Sequence, residues 1–590
     1  MARYCDIVMK GGITSGVVYP LAAVELAKEH RFRSIGGTSA GAIAAAAVAA
    51  AEYGTRSGKN PGAYAKMAEL PGWLGTNLTA LFQPSRRMRP FFETLLGTLE
   101  GGLPTKLMAP LNGFPLAANL GLLPGAAFIV ATFALDPPTA MKVLATAVGA
   151  LVLLPLGVIV AIALSATLRL RRLADSYYGL CPGNDRGGAA PRPPLTRWLA
   201  EYLDKLAGKG PEDPPLTFGD LGRLEEPDGE PGLTLQMMTS CISQARPYTL
   251  PFEGEEEFWF KPEEFLDLFP EPVVDHMVAA APADGGEPPG EGLVRFPHAE
   301  DLPVVVAARM SLSFPVLIGA VPLYAENSLE SGKPRVERCW FSDGGITSNF
   351  PVHFFDSPVP RWPTYAIDLA QLPPGEEPSK DQSANVWLPA NNAEGIAEAW
   401  VGWEDKGGFG RLFSFLNAIF RTAQNWIDNR QMRGPGYRDR IAHVRLSAKE
   451  GGMNLNMDRT AIERLAERGR SAAASLSARF APEPPPGTAL DWDNQRWLRY
   501  RAYMTQLEKQ GGQVLKGFGA TPEKPPALPL EEPPLGDEER YGWADAGQRA
   551  FANTATAELL ALHLGWQEED ESFADGSPRP PVLPWQIPRV

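Results

Sequence analysis

A serine near the start of the chain stands in the pattern Gly-x-Ser-x-Gly. Residues 37–41 read Gly-Thr-Ser-Ala-Gly, after a strand-like run and before an almost purely apolar stretch that begins at Ala42. A serine at such a strand–helix turn exposes its hydroxyl, and the helix N-terminus offers free N–H groups to a developing negative charge. Gly37 and Gly41 would let neighbouring backbone approach closely. The pattern predicts a nucleophilic Ser39, although the same five residues also fit an ordinary glycine-rich turn.

A serine nucleophile needs a base, and an aspartate far along the chain is a candidate. Asp343 ends a strand-like run and is followed by Gly344 and Gly345. The two glycines permit unusual backbone angles and close contact with a neighbouring loop. The alternative is a common Asp-Gly turn without any chemistry.

Histidine is the usual base between a serine and an acid. The chain has six, and none sits in a convincing motif: His30, His276, His298, His353, His443 and His563. His353 lies nearest to Asp343 in the sequence, in an apolar stretch where a structural role is the better interpretation. A Ser–His–Asp arrangement stays open and requires one of the six to approach Ser39 in the fold.

A third feature follows the first strand-like run, where Lys10 precedes Gly11 and Gly12. The segment has neither the Gly-Lys-Ser/Thr ending of a phosphate-binding loop nor the Gly-x-Gly-x-x-Gly pattern. Its bare N–H groups could instead form an oxyanion hole for acyl transfer.

Strand-like and helix-like stretches alternate around these residues. Residues 5–9 and 32–35 predict strands, and residues 17–28 and 42–51 predict helices. Strand-like runs return later in the chain, over 303–307, 315–321, 338–341 and 365–367. This alternation predicts an α/β fold with a doubly wound, mainly parallel sheet, whose loops gather at the carboxyl ends of the strands.

The order of these elements predicts a split domain. Residues 1–80 and 300–375 would form one α/β domain, with residues 81–299 as a large insertion. Residues 376–590 would form a mostly helical C-terminal extension with a Pro-rich tail. Within it, residues 411–429 predict an amphipathic helix, because apolar side chains recur at spacings of three and four. Residues 441–446 predict a strand, and residues 457–480 predict another amphipathic helix.

The three features together resemble the patatin-like phospholipase family, in particular its larger bacterial members. The resemblance covers residues 5–55 and 300–370 and includes the segment Arg-Met-Ser-Leu-Ser-Phe-Pro at 309–315. It implies a patatin-like sheet, Ser39 as nucleophile, Asp343 as its partner and Gly11 and Gly12 as oxyanion-hole residues. The family loop usually begins with a third glycine, where this chain has Lys10.

The resemblance also implies a reaction. Asp343 would accept the Ser39 proton without a histidine, Ser39 would attack an ester carbonyl, and backbone N–H groups would stabilise the oxyanion. Gly37, Gly41, Gly344 and Gly345 would be the motif glycines of the two loops. No metal and no cofactor is required, and we expect neither.

Two long apolar stretches lie within the predicted insertion. Residues 143–168 are uncharged, residues 116–135 are also uncharged, and residues 136–139 (Asp-Pro-Pro-Thr) predict a turn between them. About 20 apolar residues suffice to cross a bilayer. Basic residues flank the pair on both outer sides, at Arg86, Arg87, Arg89 and Lys106 before it and at Arg169, Arg171 and Arg172 after it. The sequence therefore predicts a membrane hairpin over 107–168 with both ends and the α/β domain on the cytoplasmic side. The alternative is two helices buried over the site of a cytoplasmic protein.

Composition excludes several other classes of protein. The 590 residues carry 55 Lys and Arg against 69 Asp and Glu, a net charge of −14, which argues against a general nucleic-acid binder. The four cysteines show no metal spacing and make no disulfide framework, as expected in a reducing compartment. The first residues lack the pattern of a signal peptide.

These observations predict a serine acyl hydrolase that cleaves acyl esters of membrane lipids. A Ser–His–Asp esterase of small soluble esters is the first alternative. A non-catalytic membrane scaffold on a patatin-like fold is the second, since the glycine loop is altered at Lys10. The sequence says nothing about protein partners.

Overall fold

The computed structural model describes residues 3–576, except for 100–102, 136, 186–191, 225–231, 253–256, 283–289, 328–334, 374, 396–407, 448–449 and 520–544. Residue 136 of the predicted turn and the end of the Pro-rich tail, 577–590, lie outside the described residues.

Thirteen strands are present in the described part of the chain. They are β1 Arg3–Met9, β2 His30–Thr38, β3 Gly179–Cys181, β4 Thr234–Cys241, β5 Arg246–Leu250, β6 Trp259–Phe260, β7 Val294–Arg295, β8 Val316–Ile318, β9 Val321–Asn327, β10 Arg335–Asp343, β11 Thr364–Gln371, β12 Val386–Trp387 and β13 Ile441–Leu446.

The described helices are more numerous. They are α1 Tyr19–Leu26, α2 Ala40–Arg56, α3 Ala63–Ala68, α4 Leu70–Leu81, α5 Arg89–Leu99, α6 Leu103–Gly113, α7 Pro115–Ala134, α8 Thr139–Val148, α9 Leu154–Leu170, α10 Leu195–Ala207, α11 Phe218–Gly222, α12 Pro262–Phe265, α13 Glu271–Ala279, α14 Val304–Ser311, α15 Gly408–Met432, α16 Arg459–Arg479, α17 Trp492–Gly517 and α18 Ala546–Glu568.

The main sheet has the strand order β12-β13-β11-β1-β2-β4-β10-β9-β6-β7, with β5 paired to β4. The five strands from β13 to β4 are parallel, and the strands on either side of them are antiparallel. The chain therefore has the mixed α/β fold with a large, centrally parallel sheet that the alternating elements predict.

Strands from the predicted α/β domain, from the predicted insertion and from the predicted extension all enter this sheet. The stretch predicted as an insertion contributes β4, which lies between β2 and β10. The stretch predicted as a C-terminal extension contributes β13, which pairs in parallel with β11 over residues 441–446, as predicted for a strand there. The sheet thus ties both stretches to the segments that carry Ser39 and Asp343.

One predicted strand is wrong. Residues 303–307 were expected to extend as a strand because of the run Val304–Val306, but they begin helix α14 after Pro303. The valines are fully or almost fully buried, and a short buried run of this kind fits a strand and a helix equally well. Within residues 315–321, Val316–Ile318 form β8, which pairs with β3 in a separate two-stranded sheet, and Val321 already begins β9 of the main sheet.

In the part of the chain that the structure describes, two helices are long and apolar enough to cross a membrane, Pro115–Ala134 and the continuous helix Thr139–Leu170. Their backbones touch at Gly121 and Gly157, where an added Cβ would lie within 2.5 Å of the opposite carbonyl oxygen. Small residues allow membrane helices this close packing. Only 17% and 6% of the two apolar windows are buried in the protein, so the helices are not buried over the site.

Candidate active site

Ser39 lies at the turn between β2 and α2, as the sequence predicts. Its backbone has φ 57° and ψ −126°, a conformation that non-glycine residues rarely adopt and that costs free energy unless the surroundings enforce it. Strained serines of this kind are typical of the sharp strand–helix turn that presents a nucleophile. The side chain and backbone of Ser39 are 3% exposed, so the turn lies in a confined space.

The motif glycines allow this turn to pack against the end of β1. A Cβ on Gly37 would lie 2.4 Å from the Gly41 carbonyl oxygen, and a Cβ on Gly41 would lie 2.2 Å from the Met9 carbonyl oxygen. Both distances exclude any other residue without a backbone shift. The Gly-x-Ser-x-Gly pattern therefore has a steric cause in this fold.

The sheet register brings Asp343 to the level of Ser39. Thr38, the last residue of β2, pairs with Met238 of β4, and Asp343, the last residue of β10, pairs with Thr239. Ser39 and Asp343 therefore flank β4 at the same height. This adjacency depends on β4, which sequence reasoning did not identify as a strand.

Asp343 is 3% exposed, and its carboxyl group holds a proton to a higher pH than an ordinary aspartate does. Burial raises its pKa from 3.8 to about 7, although the neighbouring Ser39 hydroxyl and the Gly345 N–H favour the carboxylate. The Gly345 N–H donates to Oδ1 at 2.7 Å, and Oδ2 has no hydrogen bond of standard geometry to the described residues. The Oδ2 atom of Asp343 thus remains available, beside Ser39, to accept a proton near neutral pH.

The end of α14 and the residues that follow it contact both Ser39 and Asp343. The Ser39 N–H donates to the Ser311 hydroxyl at 3.1 Å, and that hydroxyl donates to the Met238 carbonyl at 2.6 Å. Two residues later, the Ser313 carbonyl accepts from the Asp343 N–H at 3.0 Å. The fully buried Arg309 holds this segment by donating to the Ser313 hydroxyl at 2.7 Å. Residues 309–313 therefore position both Ser39 and Asp343.

The glycine loop lies against the nucleophile. A Cβ on Gly11 would lie 3.0 Å from the Ser39 Cβ. The Gly11 N–H donates to the Asn349 carbonyl at 2.9 Å, whereas the N–H groups of Gly12 and Ala40 have no acceptor among the described residues. Gly12 is therefore the glycine of the pair with a free donor, and the N–H after the serine is the second.

Lys10, which stands directly before Gly11, belongs to a charge cluster around the buried Asp368. Its ammonium group lies 2.7 Å from one carboxylate oxygen of Asp368, and Nδ1 of His443 lies 2.7 Å from the other. Burial alone would raise the pKa of Asp368, but Lys10 and His443 hold it well below its ordinary value. Lys10 is thus anchored to β11 by an ion pair, and this anchors the start of the glycine loop.

The histidines have other partners. The rings of His30 and His276 contact the Tyr365 hydroxyl and the Asp301 carbonyl, and His443 contacts Asp368. His353 is half-buried, and desolvation lowers its pKa to about 4. An imidazole that stays neutral to such low pH fits the structural role predicted for His353.

One buried carboxylate that holds the loop after Asp343 has no sequence signal. Asp428 of α15 is 2% exposed and accepts hydrogen bonds from the Ser348 hydroxyl at 2.8 Å and from the N–H groups of Asn349 at 2.8 Å and Phe350 at 2.9 Å. It therefore fixes the loop that follows Asp343 and carries Asn349 to the glycine loop. No motif surrounds Asp428, and only the fold reveals its place.

An apolar cavity of about 90 Å³ lies along α2. Ala40, Ala44 and Val48 line it from α2, and further apolar side chains close it from other elements: Ile13, Val17, Met67, Leu70, Leu74, Leu78, Leu81, Phe82, Leu195 and Leu312. Ala40 follows Ser39 directly, so the cavity begins one residue from Ser39, although neither Ser39 nor Asp343 lines it. Among the described residues, no three His, Cys, Asp or Glu side chains are grouped to hold a metal ion.

Comparisons with known proteins identify the chain only in part. No family model matches it. VipD from Legionella pneumophila, a solved structure, matches with a TM-score of 0.29 and 12% identity over 87% of this chain and 77% of that one. A similarity of this size supports no inference. A protein of Rhizobium meliloti (strain 1021), described as RpoH suppressor, is 38% identical over 645 aligned positions that span 98% of each chain. The chain therefore belongs to the family of this RpoH suppressor.

Proposed function

We propose that the protein is a patatin-like serine acyl hydrolase that cleaves acyl esters of membrane lipids. One observation carries the proposal: Ser39, in a strained strand–helix turn, lies beside the buried Asp343, whose pKa of about 7 suits a general base. The apolar cavity that starts at Ala40 supports an acyl chain as part of the substrate.

The reaction follows from these groups. Asp343 accepts the Ser39 proton as the serine oxygen attacks the ester carbonyl carbon, and the N–H groups of Gly12 and Ala40 stabilise the oxyanion. Collapse of this intermediate releases the alcohol, which takes the proton from Asp343. Water then attacks the acyl-enzyme, again losing a proton to Asp343, and the fatty acid leaves with Ser39 restored.

The two long apolar helices support the choice of a lipid substrate. Many of their apolar side chains are exposed, and Leu116, Leu151 and Ile159, for example, are between 63% and 77% exposed. So large an apolar surface would be unfavourable in water. Placed in a bilayer, they would hold the site beside lipid esters. We propose that the catalytic part lies on the cytoplasmic side, because basic residues flank the hairpin at both ends.

Labelling with a fluorescent fluorophosphonate tests the nucleophile. The full chain should react, Ser39→Ala should not, and Ser57→Ala, an exposed serine at the other end of α2, should react as the wild type does. The same variants should then be assayed for release of fatty acid from phospholipid vesicles and from a soluble butyrate ester. Equal labelling of Ser39→Ala and wild type would contradict the proposal.

A further inference from the structure

Helix α15 turns its apolar side to solvent. Leu412, Phe415, Leu416, Ile419 and Trp426 are between 46% and 56% exposed. At roughly 100° per residue, their spacings of three and four place them in one stripe along the helix. A surface helix of a globular protein normally turns such a stripe inward.

The polar side of the same helix faces the active site instead. Asp428 holds the backbone at Asn349 and Phe350, and the Gln424 side-chain amide donates to the Gly345 carbonyl. The loop that begins at Asp343 is therefore fixed to α15. Because these contacts set the rotation of the helix, the apolar stripe cannot turn inward without releasing the loop.

The charge around the stripe indicates what covers it. The exposed side chains of Arg411 and Arg430 lie beside the stripe and at its end, and Asp428, the one acidic residue of the helix, is buried on the opposite side. The chain as a whole carries a net charge of −14, so this cationic apolar surface differs from the rest. A second copy of the chain would bring the same arginines against it, whereas an anionic bilayer surface complements both its charge and its apolar stripe.

We infer that α15 is an interfacial helix, which lies in the headgroup region of an anionic lipid bilayer and keeps the Asp343 loop in its working position there. The contact with lipid stands independently of the chemistry. Its consequence for catalysis rests on the proposed function, because it predicts faster turnover of substrates in a bilayer than of substrates in water.

A depth measurement tests the contact with lipid. All four native cysteines are buried, so a polarity-sensitive thiol label can be directed to Leu416→Cys on the stripe and to Asn429→Cys, an exposed position off the stripe. The full chain is reconstituted into phosphatidylcholine–phosphatidylglycerol vesicles. The label at 416 should emit at shorter wavelength and be quenched by nitroxide-labelled lipid, and the label at 429 should remain in water.

Two outcomes would overturn the inference. The first is a label at position 416 that is as exposed to water as the label at 429. The second is a Leu416→Cys variant that forms disulfide-linked dimers in the vesicles and whose label is shielded from the lipid quencher. The second result would identify the stripe as an interface between copies of the chain.

Kinetics test the consequence for catalysis. Leu416→Glu should lower hydrolysis of vesicle phosphatidylglycerol by about tenfold or more, since a leucine side chain loses its apolar contact, and leave the soluble butyrate ester unaffected. Asn429→Glu adds the same charge off the stripe and should change neither rate. Equal loss on both substrates would contradict an interfacial role. If the wild type hydrolyses neither ester, the proposed function fails, while the depth measurement still decides where α15 lies.

Discussion

The hydroxyl of Ser311 accepts a hydrogen bond of 3.1 Å from the backbone N–H of Ser39. This bond fixes the one residue of the site whose φ is positive, at 57°. Ser311 is fully buried and passes the bond on to the Met238 carbonyl, so the strained turn is fastened to β4. The strain at Ser39 is therefore maintained by a side chain distant in sequence rather than by the glycines alone.

Replacing this hydroxyl should affect both stability and turnover. Ser311→Ala leaves the Ser39 N–H without its acceptor, and we expect a loss of about 1–3 kcal/mol in the free energy of unfolding. Because the turn then relaxes, ester hydrolysis should fall by about tenfold or more. Urea denaturation and kcat measured on a soluble ester check the two effects. The control Ser477→Ala loses a buried hydroxyl bonded to Glu29, and it should lower stability without changing kcat. If both variants keep full kcat, Ser311 does not position the nucleophile.

Activity should rise with pH around neutrality. Burial raises the pKa of Asp343 to about 7, so the carboxyl group is protonated below this value and cannot accept the Ser39 proton. We expect kcat/KM to fall about tenfold for each unit of pH below 7 and to level off above 8. A profile that stays flat from pH 5 to 8 would exclude Asp343 as the base.

The same pKa has a consequence for stability, with a definite sign. Between an unfolded value near 3.8 and a folded value of about 7, the folded state holds a proton that the unfolded state releases. Stability from this group is therefore lost as the pH rises through 7. Asp343→Asn should be inactive and yet raise the melting temperature at pH 8, with a smaller difference at pH 4. If the variant were inactive because it is destabilised, its melting temperature at pH 8 would instead lie below that of the wild type.

The histidine variants separate a pair from a triad. Desolvation lowers the pKa of the half-buried His353 to about 4, so its ring is neutral at pH 7. The hydrogen-bond partners of the Asp343 carboxyl group among the described residues are Ser39 and Gly345, not this histidine. His353→Gln should keep most of the ester hydrolysis, and so should His443→Gln, which leaves the Lys10–Asp368 ion pair in place. A folded variant of either kind with its kcat reduced by about 10³-fold would favour the Ser–His–Asp esterase.

The local motifs could be predicted from the sequence because their causes are local. Gly37 and Gly41 have no room for a Cβ, so the nucleophile turn has a sequence signature, and Asp343 ends its strand as expected. The two apolar helices differ from the predicted stretches by a few residues at their ends. Uncharged apolar runs of about 20 residues or more fit few structures other than a membrane-spanning helix, so the helices could be predicted.

The parts that could not be predicted depend on contacts between distant segments. Strand β4 brings Ser39 and Asp343 to the same level of the sheet. Nothing in its sequence distinguishes it from the rest of the predicted insertion or marks it as a central strand. Asp428 acts through three hydrogen bonds to a loop far from it in sequence. The amphipathic pattern over 411–429 correctly predicts helix α15, but it cannot show that the apolar side is the exposed one.

The cavity predicts a graded selection of acyl chains. Ala44 and Val48 lie one and two turns along α2 from Ala40, about 5.4 Å apart for each turn. Ala44→Phe should therefore block chains beyond a short length, and Val48→Phe should block only chains longer by a few methylene groups. Hydrolysis of p-nitrophenyl esters from butyrate to palmitate measures the two cut-offs. Both variants should still react with a fluorophosphonate, and a uniform loss across all chain lengths would show that the acyl chain binds elsewhere.

The hairpin should anchor the protein in a membrane. Arg169 at its end donates to the Arg87 carbonyl near its beginning at 3.0 Å, so both basic flanks meet at one end of the helix pair, as a hairpin inserted from one side requires. The full chain should stay with membranes in high salt and in carbonate, because apolar spans are not released when salt screens charge. Deletion of residues 115–170 should yield a soluble protein that a fluorophosphonate still labels at Ser39, since α7, α8 and α9 contribute nothing to the site. Release of the intact chain by carbonate would contradict the hairpin without affecting the hydrolase, because the two predictions depend on different residues.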